Sequence, residues 1–165
     1  MKIIYAKTLL YGYKHLNELA EQIDIKVEKK ALSSMNNITP AINQYNEIIE
    51  LTFQKDVILS LKEVCDKILK KYSEEDLKFF EYKYFMRKPK SYFKDFDASS
   101  RAYFRKQNKL VENFSVSLEK NLVNDQFFEE QVFSIEFFRQ LHKQTEEHEK
   151  KTVKNRKKTP KQEKA

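Results

Sequence analysis

The sequence predicts an all-α fold, and three features carry that prediction. Gly occurs once in 165 residues, so the primed turns of tight β-hairpins, which need positive φ, are hard to build. Apolar residues recur at three- and four-residue spacing along most of the chain, which is the period of an amphipathic helix. Thirteen Phe and nine Tyr supply apolar area for a core although 35% of the residues are charged.

The same composition excludes several classes of protein. One Gly cannot form the glycine-rich phosphate loops of P-loop or Rossmann proteins. One Cys rules out a disulfide framework and a cysteine-based zinc site, which predicts a reduced, cytoplasmic protein. No apolar run approaches the roughly 18 residues of a membrane span, so we expect no membrane partner. No nucleophile–base pair stands out, so the sequence predicts neither an enzyme nor a bound cofactor or metal.

The first segment, residues 1–72, is predicted to be a long helical hairpin. Helical spacing of apolar residues predicts one helix over 6–31 and a second, of about thirty residues, that starts after Thr39-Pro40. The Ser- and Asn-rich stretch 33–40 predicts the connecting loop. Two amphipathic helices joined by a short loop pack antiparallel, and residues 6–71 are therefore also a candidate dimerisation arm.

The second segment, residues 73–120, is predicted to be a helix-turn-helix-like unit. Ser73 precedes three acids, which is the pattern of a capped helix start, and Pro89 ends the helix that follows. Its predicted elements are a capped helix over 74–86, a short helix over 90–96, a turn at 97–100 and a long helix over about 100–120.

The remaining chain is predicted to hold an acidic helical pair, 121–149, and a disordered basic tail, 150–165. Asn124 and Ser134 are the expected caps of the two helices of the pair. The tail combines eight basic groups with one acid and few apolar side chains, a composition that cannot bury enough surface to order itself.

The spacing of the Cys and of two His residues predicts neither a reactive thiol nor a metal site. Cys65 lies on the apolar stripe of the second helix, which predicts a buried, unreactive thiol. His142 and His148 are six residues apart and so lie on nearly opposite faces of a helix. This predicts solvated polar positions rather than a metal-binding pair.

Charge is segregated along the chain. Residues 1–85 are neutral overall, 86–110 carry a net charge of +6, 111–149 carry −6 and 150–165 carry +7. Two basic blocks on either side of an acidic one are typical of polyanion binding or of charge pairing within the molecule.

The long helix of the second segment carries the donors that DNA recognition needs. Arg101, Arg105 and Lys109 are four residues apart and share one face. The two arginines are placed to reach a guanine edge, and lysines beside them to reach phosphates. The expected DNA-binding residues are Arg87, Lys88, Lys90, Ser99, Ser100, Arg101, Tyr103, Arg105, Lys106 and Lys109.

The stretch SEEDLKFFEYKYF, residues 73–85, resembles the first helix of the fourth region of bacterial sigma factors. Continued without a gap, Ser100-Arg101 falls on the Ser-Arg that opens the recognition helix of that family. The run 103–106, Tyr-Phe-Arg-Lys, is similar to the Tyr-Tyr-Arg-Lys of phage-type transcriptional regulators of the ArpU/RinA kind. The resemblance covers about 45 residues. It implies a transcription regulator of phage or mobile-element genes that inserts helix 99–110 into the major groove of double-stranded DNA, with RNA polymerase as a candidate partner.

The chain departs from the family pattern at three places. Asp97-Ala98 stands in a turn where the family has Gly or another small residue, Lys94 stands in place of a small Ala, and Asn108 in place of an apolar residue. The apolar pattern also suits any three-helix bundle. A helical protein-interaction or scaffold module, with a homodimer formed through residues 6–71, therefore stays open as the alternative.

Overall fold

The computed structural model describes residues 1–35, 41–89 and 100–158, and these ranges contain helices but no strand. The all-α prediction is confirmed. No helix in the described part of the chain combines the length and the hydropathy that crossing a membrane requires. The α-helices are, in order, α1 (Ile3–Gly12), α2 (Leu16–Met35), α3 (Ala41–Leu69), α4 (Glu74–Phe80), α5 (Ser100–Lys120), α6 (Asp125–Glu130) and α7 (Glu136–Lys158).

The first predicted helix is in fact two. α1 starts at Ile3, and a 3-10 turn at Tyr13–His15 separates it from α2. α2 runs to Met35 and so includes the first residues of the predicted loop, whose remainder lies outside the described residues. The boundaries differ because α1 enters the core, where its residues 5–10 are all buried, whereas α2 is amphipathic and lies along the surface.

α1 is the central helix of the core. Each residue from Tyr5 to Leu10 is buried, and α1 packs against α5, α7 and a π-helical turn, Glu81–Phe85, that extends α4. A helix enclosed in this way must satisfy its polar side chains internally. The Lys7 ammonium accordingly donates to the Glu149 carboxylate of α7 at 2.8 Å, and the Thr8 hydroxyl donates to the Ile4 carbonyl at 2.8 Å.

α2 and α3 pack along each other in opposite directions. The Tyr13 hydroxyl, just before α2, donates to Asp66 at 2.5 Å, Lys55 pairs with Asp24 at 2.6 Å, and Lys30 pairs with Glu47. α3 has the predicted length, and its second half enters the core with Cys65 fully buried, as predicted. Burial raises the pKa of the Cys65 thiol, which keeps it protonated and unreactive.

One hydrophobic core joins the predicted segments 1–72, 73–120 and 121–149. Buried side chains from all seven α-helices, α1 to α7, form a single cluster. The predicted caps of α4 and α6 are confirmed, because Ser73 Oγ accepts from the Asp76 amide and Asn124 Oδ1 accepts from the Phe127 amide at 2.8 Å. The predicted cap at Ser134 is wrong, since its hydroxyl donates to the Gln131 carbonyl inside a 3-10 turn and α7 begins two residues later.

The expected disorder of the tail is wrong for residues 150–158, which continue α7 to Lys158. Lys is a good helix former, and cations are favoured at the C-terminal end of a helix by its dipole. Lys150 also lies 3.8 Å from Glu146 one turn earlier. Residues 159–165 of the predicted tail lie outside the described residues.

His142 is not the solvated residue that its spacing predicted. Its ring is half-buried between Tyr5 and Phe133, with ring centroids 5.4 and 5.0 Å away, and Nδ1 lies 3.3 Å from the Thr8 hydroxyl. Burial lowers the pKa of His142 although Glu146 lies 3.6 Å from it. The ring therefore belongs to the packing between α1 and α7.

Gly12 allows α1 and α7 to approach closely, which generates a stability prediction. A Cβ at this position would lie 2.8 Å from the ring edge of the fully buried Phe138 and 3.2 Å from Leu141. We expect Gly12→Ala to lower the free energy of unfolding by about 1–3 kcal/mol, because overpacking outweighs the gain in helix propensity. Urea denaturation measures the change.

Phe138→Leu, which removes the ring edge, is the matched second mutation for this test. Combined with Gly12→Ala it should cost clearly less than the sum of the two single changes, since the contact is then gone. Additive costs would contradict the close approach.

Candidate nucleic-acid interface

The exposed face of α5 carries a row of cations. Arg101, Arg105 and Lys109 are all exposed, and each is separated from the next by about one helical turn. The opposite face is locked into the core by Leu110, Val111, Phe114 and Leu118. The row therefore points away from the core on a helix whose orientation is held by its buried side.

Lys106, predicted to contact phosphate, is engaged within the protein. Its ammonium pairs with Glu75 and lies 3.3 Å from Asp76, both in the first turn of α4. The structure thus corrects the prediction, because the spacing along α5 gave no information about the acids that α4 places beside it. The ion pairs attach α5 to α4 instead.

Tyr103, predicted to be an exposed contact, is buried, with 5% of its surface exposed. Its ring centroid lies 5.3 Å from that of Phe79 in α4, and burial raises the pKa of its hydroxyl. The prediction was wrong because position 103 lies on the same side of α5 as the buried Gln107 and Leu110.

Other predicted residues lie at or beyond the edge of the described chain. Lys90 and Ser99 fall in the undescribed range 90–99, together with the predicted short helix 90–96 and most of the turn 97–100. Ser100 is the first residue of α5, as expected for the start of the long helix, and its side chain is not described.

Arg87 and Lys88 follow the π-helical turn in an unusual backbone conformation. Arg87 has a φ of 53°, a left-handed value that favours Gly. The Met86 amide donates to the Glu81 carbonyl and the Lys88 amide to the Tyr82 carbonyl, both at 2.7 Å, so the helix end is closed by reverse-turn bonds of the kind usually found with Gly. The Arg87 guanidinium lies over the Tyr11 ring, 5.5 Å from its centroid.

A cavity of about 510 Å³ opens beside these two residues. Four parts of the chain form its wall: α1, the π-helical turn with the residues after it, α5 and α7. The lining residues that the structure describes are Tyr11, Lys83, Arg87, Lys88, Pro89, Tyr103, Phe104, Leu141, Gln144, Thr145, His148 and Thr152.

Most of this cavity could not be predicted from the sequence. Arg87, Lys88 and Tyr103 were predicted, but as contacts with DNA, and no sequence motif predicted a site at Lys83 or at the α7 residues of the wall. Its members come from helices far apart in sequence, and no local motif links them. The only sequence signal was the mixture of aromatic and basic residues in the block 86–110.

Lys83 is the most enclosed cation of the cavity wall. Its side chain is half-buried, and burial lowers the pKa of its ammonium. The negative charge of Glu149 raises that pKa in part, but Glu149 is itself bonded to Lys7 at 2.8 Å. Among the described residues, the carboxylate that acts on Lys83 is thus one that it shares with Lys7.

The described residues contain no group of three His, Cys, Asp or Glu side chains arranged to hold a metal ion. Comparison of the chain with protein-family models, with curated proteins and with solved structures found no match.

The left-handed conformation of Arg87 generates a prediction. Arg87→Gly and Arg87→Ala both remove the cation over Tyr11, but only Gly is relaxed at this φ. We expect Arg87→Gly to have the larger free energy of unfolding, by about 1 kcal/mol. Denaturation in urea compares the two variants.

Leu122 provides the matched control, because it is exposed and also left-handed, with a φ of 66°. The difference between Leu122→Gly and Leu122→Ala should have the same sign and a similar size. If Arg87→Ala is as stable as Arg87→Gly while the Leu122 pair differs, the strained backbone at Arg87 is ruled out.

Proposed function

We propose that the protein is a transcription regulator that binds double-stranded DNA through the exposed face of α5. The observation that supports the proposal is the row formed by Arg101, Arg105 and Lys109, which is exposed while the opposite face of the helix is anchored in the core. The sigma-like resemblance of residues 73–85 and 100–106 supports the same function. It also suggests RNA polymerase as a second partner.

The dimensions of the row suit a major groove. Residues 101 to 109 span about 12 Å along a helix, which is close to the width of the groove in B-DNA. Arg101 and Arg105 then act as bidentate donors to guanine O6 and N7, and Lys109 contacts a phosphate.

Arg87 and Lys88 serve in this proposal as secondary phosphate contacts. Arg87 is exposed and Lys88 half-exposed, and both precede the segment that leads into α5. The exposed lysines at the end of α7, Lys150 and Lys151, add positive charge that attracts DNA without reading sequence. Lys106 is left out of the contact set because its ion pairs with α4 hold it in the fold.

The test is binding of the full chain to mixed-sequence duplex DNA over a salt series from about 50 to 200 mM. The triple variant Arg101→Ala/Arg105→Ala/Lys109→Ala should bind more weakly and depend less on salt. The slope of log affinity against log salt should fall by about 0.9 for each lost phosphate contact. Fluorescence anisotropy of labelled DNA gives both quantities.

A matched control removes the same charge elsewhere. Lys26, Lys29 and Lys67 are exposed on α2 and α3, so Lys26→Ala/Lys29→Ala/Lys67→Ala has the same net charge as the α5 variant. It should retain most of the affinity of the unmodified chain. Equal weakening by both triple variants would mean that overall charge, rather than the α5 face, binds DNA.

A second candidate function, self-association, is favoured by an apolar row on α3. Ile42, Tyr45, Ile49 and Phe53 share one face and are 73%, 68%, 55% and 50% exposed. They lie where α3 packs along α2, before its second half enters the core. The described helical parts of 24–56 carry nearly balanced charge, with four Lys against five acids, so a second copy meets little repulsion.

This alternative predicts a dimer in which two α2–α3 hairpins join through the α3 row. Tyr45→Glu/Ile49→Glu should convert the dimer to a monomer, because it places charges in the apolar contact. Asn17→Glu/Asn43→Glu adds the same charge on exposed positions off the row and should leave the dimer intact. Sedimentation equilibrium at micromolar concentrations measures the mass, and a monomeric unmodified chain would exclude the homodimer.

A further inference from the structure

The cavity beside Arg87 has the size of a small-molecule site. Its volume of about 510 Å³ falls inside the range of roughly 300–1,000 Å³ that is usual for ligand pockets. Residues of α1, α5 and α7 line it, and all three helices belong to one core. Core packing therefore fixes the positions of the three helices that line the cavity.

The charge of the cavity wall favours the binding of an anion. Lys83, Arg87 and Lys88 line one side, and none of the lining residues that the structure describes is an acid. Lys83 is half-buried, and the nearby Glu149 is bonded to Lys7 at 2.8 Å. A buried cation is costly unless an anion compensates it, so a bound phosphate would stabilise this wall.

The cavity wall also contains aromatic side chains. Tyr103 and Phe104 both line it, with their rings edge to face at a centroid distance of 5.3 Å. Tyr103 is fixed from behind by Phe79, also at 5.3 Å. Tyr103, itself 5% exposed, thus backs the half-exposed ring of Phe104, which offers a fixed apolar surface to a planar heterocycle at little cost in conformational entropy.

The backbone around the cations is irregular. Lys83 lies in the π-helical turn, and Arg87 is left-handed at a φ of 53°. Single π-helical turns and strained residues persist where the surrounding structure holds them, and they are frequent at ligand sites. Here the two features stand within five residues of each other on the cavity wall.

From these observations we propose that the cavity binds a free nucleotide. The phosphate lies against Lys83, Arg87 and Lys88, and the base lies against Tyr103 and Phe104. The proposal does not depend on DNA binding by α5, because the cavity and the exposed row of α5 are formed by different faces of the helix.

The experiment titrates the full chain with AMP, GMP, CMP and UMP by isothermal calorimetry. At least one nucleotide should bind with a Kd below about 1 mM, and its nucleoside alone or inorganic phosphate alone should each bind at least roughly tenfold more weakly. Lys83→Met should weaken the nucleotide at least roughly tenfold, since it removes a charged hydrogen-bond donor from a partly enclosed site. Absence of binding by all four nucleotides overturns the proposal.

Two controls separate the site from general charge effects. Lys78→Met removes an exposed lysine of α4 that does not line the cavity, and it should leave nucleotide affinity unchanged. If Lys83→Met does not fold, Arg87→Gly takes its place as the test variant. Arg87→Gly relaxes the backbone and removes a cation from the cavity wall, and it should also weaken nucleotide binding. Equal affinity in Lys83→Met, Arg87→Gly and the unmodified chain overturns the proposal.

The same titration distinguishes this inference from the proposed function. Arg101→Ala/Arg105→Ala, which impairs the DNA row, should leave nucleotide affinity unchanged, so either idea can fail alone. A short single-stranded oligonucleotide that binds more tightly than any mononucleotide and depends on Lys83 would identify a nucleic-acid strand as the occupant and overturn the assignment to a free nucleotide.

Discussion

The burial of α1 from residue 5 to residue 10 is the constraint on which the rest of this fold depends. An ammonium group inside such a stretch, that of Lys7, cannot be left unpaired, and α7 supplies the partner, Glu149. α7 must therefore run alongside α1, and Gly12 is the position that lets Phe138 and Leu141 come close enough. The position of α7 in turn places His142 in the core and Thr145 and His148 beside the cavity.

Sequence patterns predicted the helices that have one buried face. α3 and α5 have a clear three-four spacing, and their extents agree with the prediction. The caps at Ser73 and Asn124 were also found, because an N-cap depends on two or three adjacent residues. α1 gave a weaker signal, and only its part from residue 6 was predicted as helix. Because the helix is buried on every side from residue 5 to residue 10, its start and its role as the centre of the core could not be predicted from the spacing of one apolar face.

The candidate site was likewise predicted only in part. Helical geometry alone was enough to put Arg101, Arg105 and Lys109 on one exposed face. It was not enough for Lys106 or Tyr103, because their surroundings are set by α4, which approaches α5 from another part of the chain. The cavity is an extreme case, since α1 and α7 contribute to it from positions more than a hundred residues apart. Tertiary packing determines such features, and no local sequence pattern predicts them.

The first turns of α5 connect the two surfaces that the structure brings together. Arg101 and Arg105 point outward, while Tyr103 between them is buried against Phe79 and lines the cavity. Successive residues of a helix are separated by about 100°, and the helix moves as a rigid unit over a few turns. A displacement of the Tyr103 ring by a cavity ligand therefore cannot occur without a side-chain rearrangement or a rotation of α5. Tyr103 is enclosed by packed rings that resist a side-chain rearrangement. A rotation of α5, which would change the direction of the outward arginines, is therefore the route by which a cavity ligand would influence the exposed row.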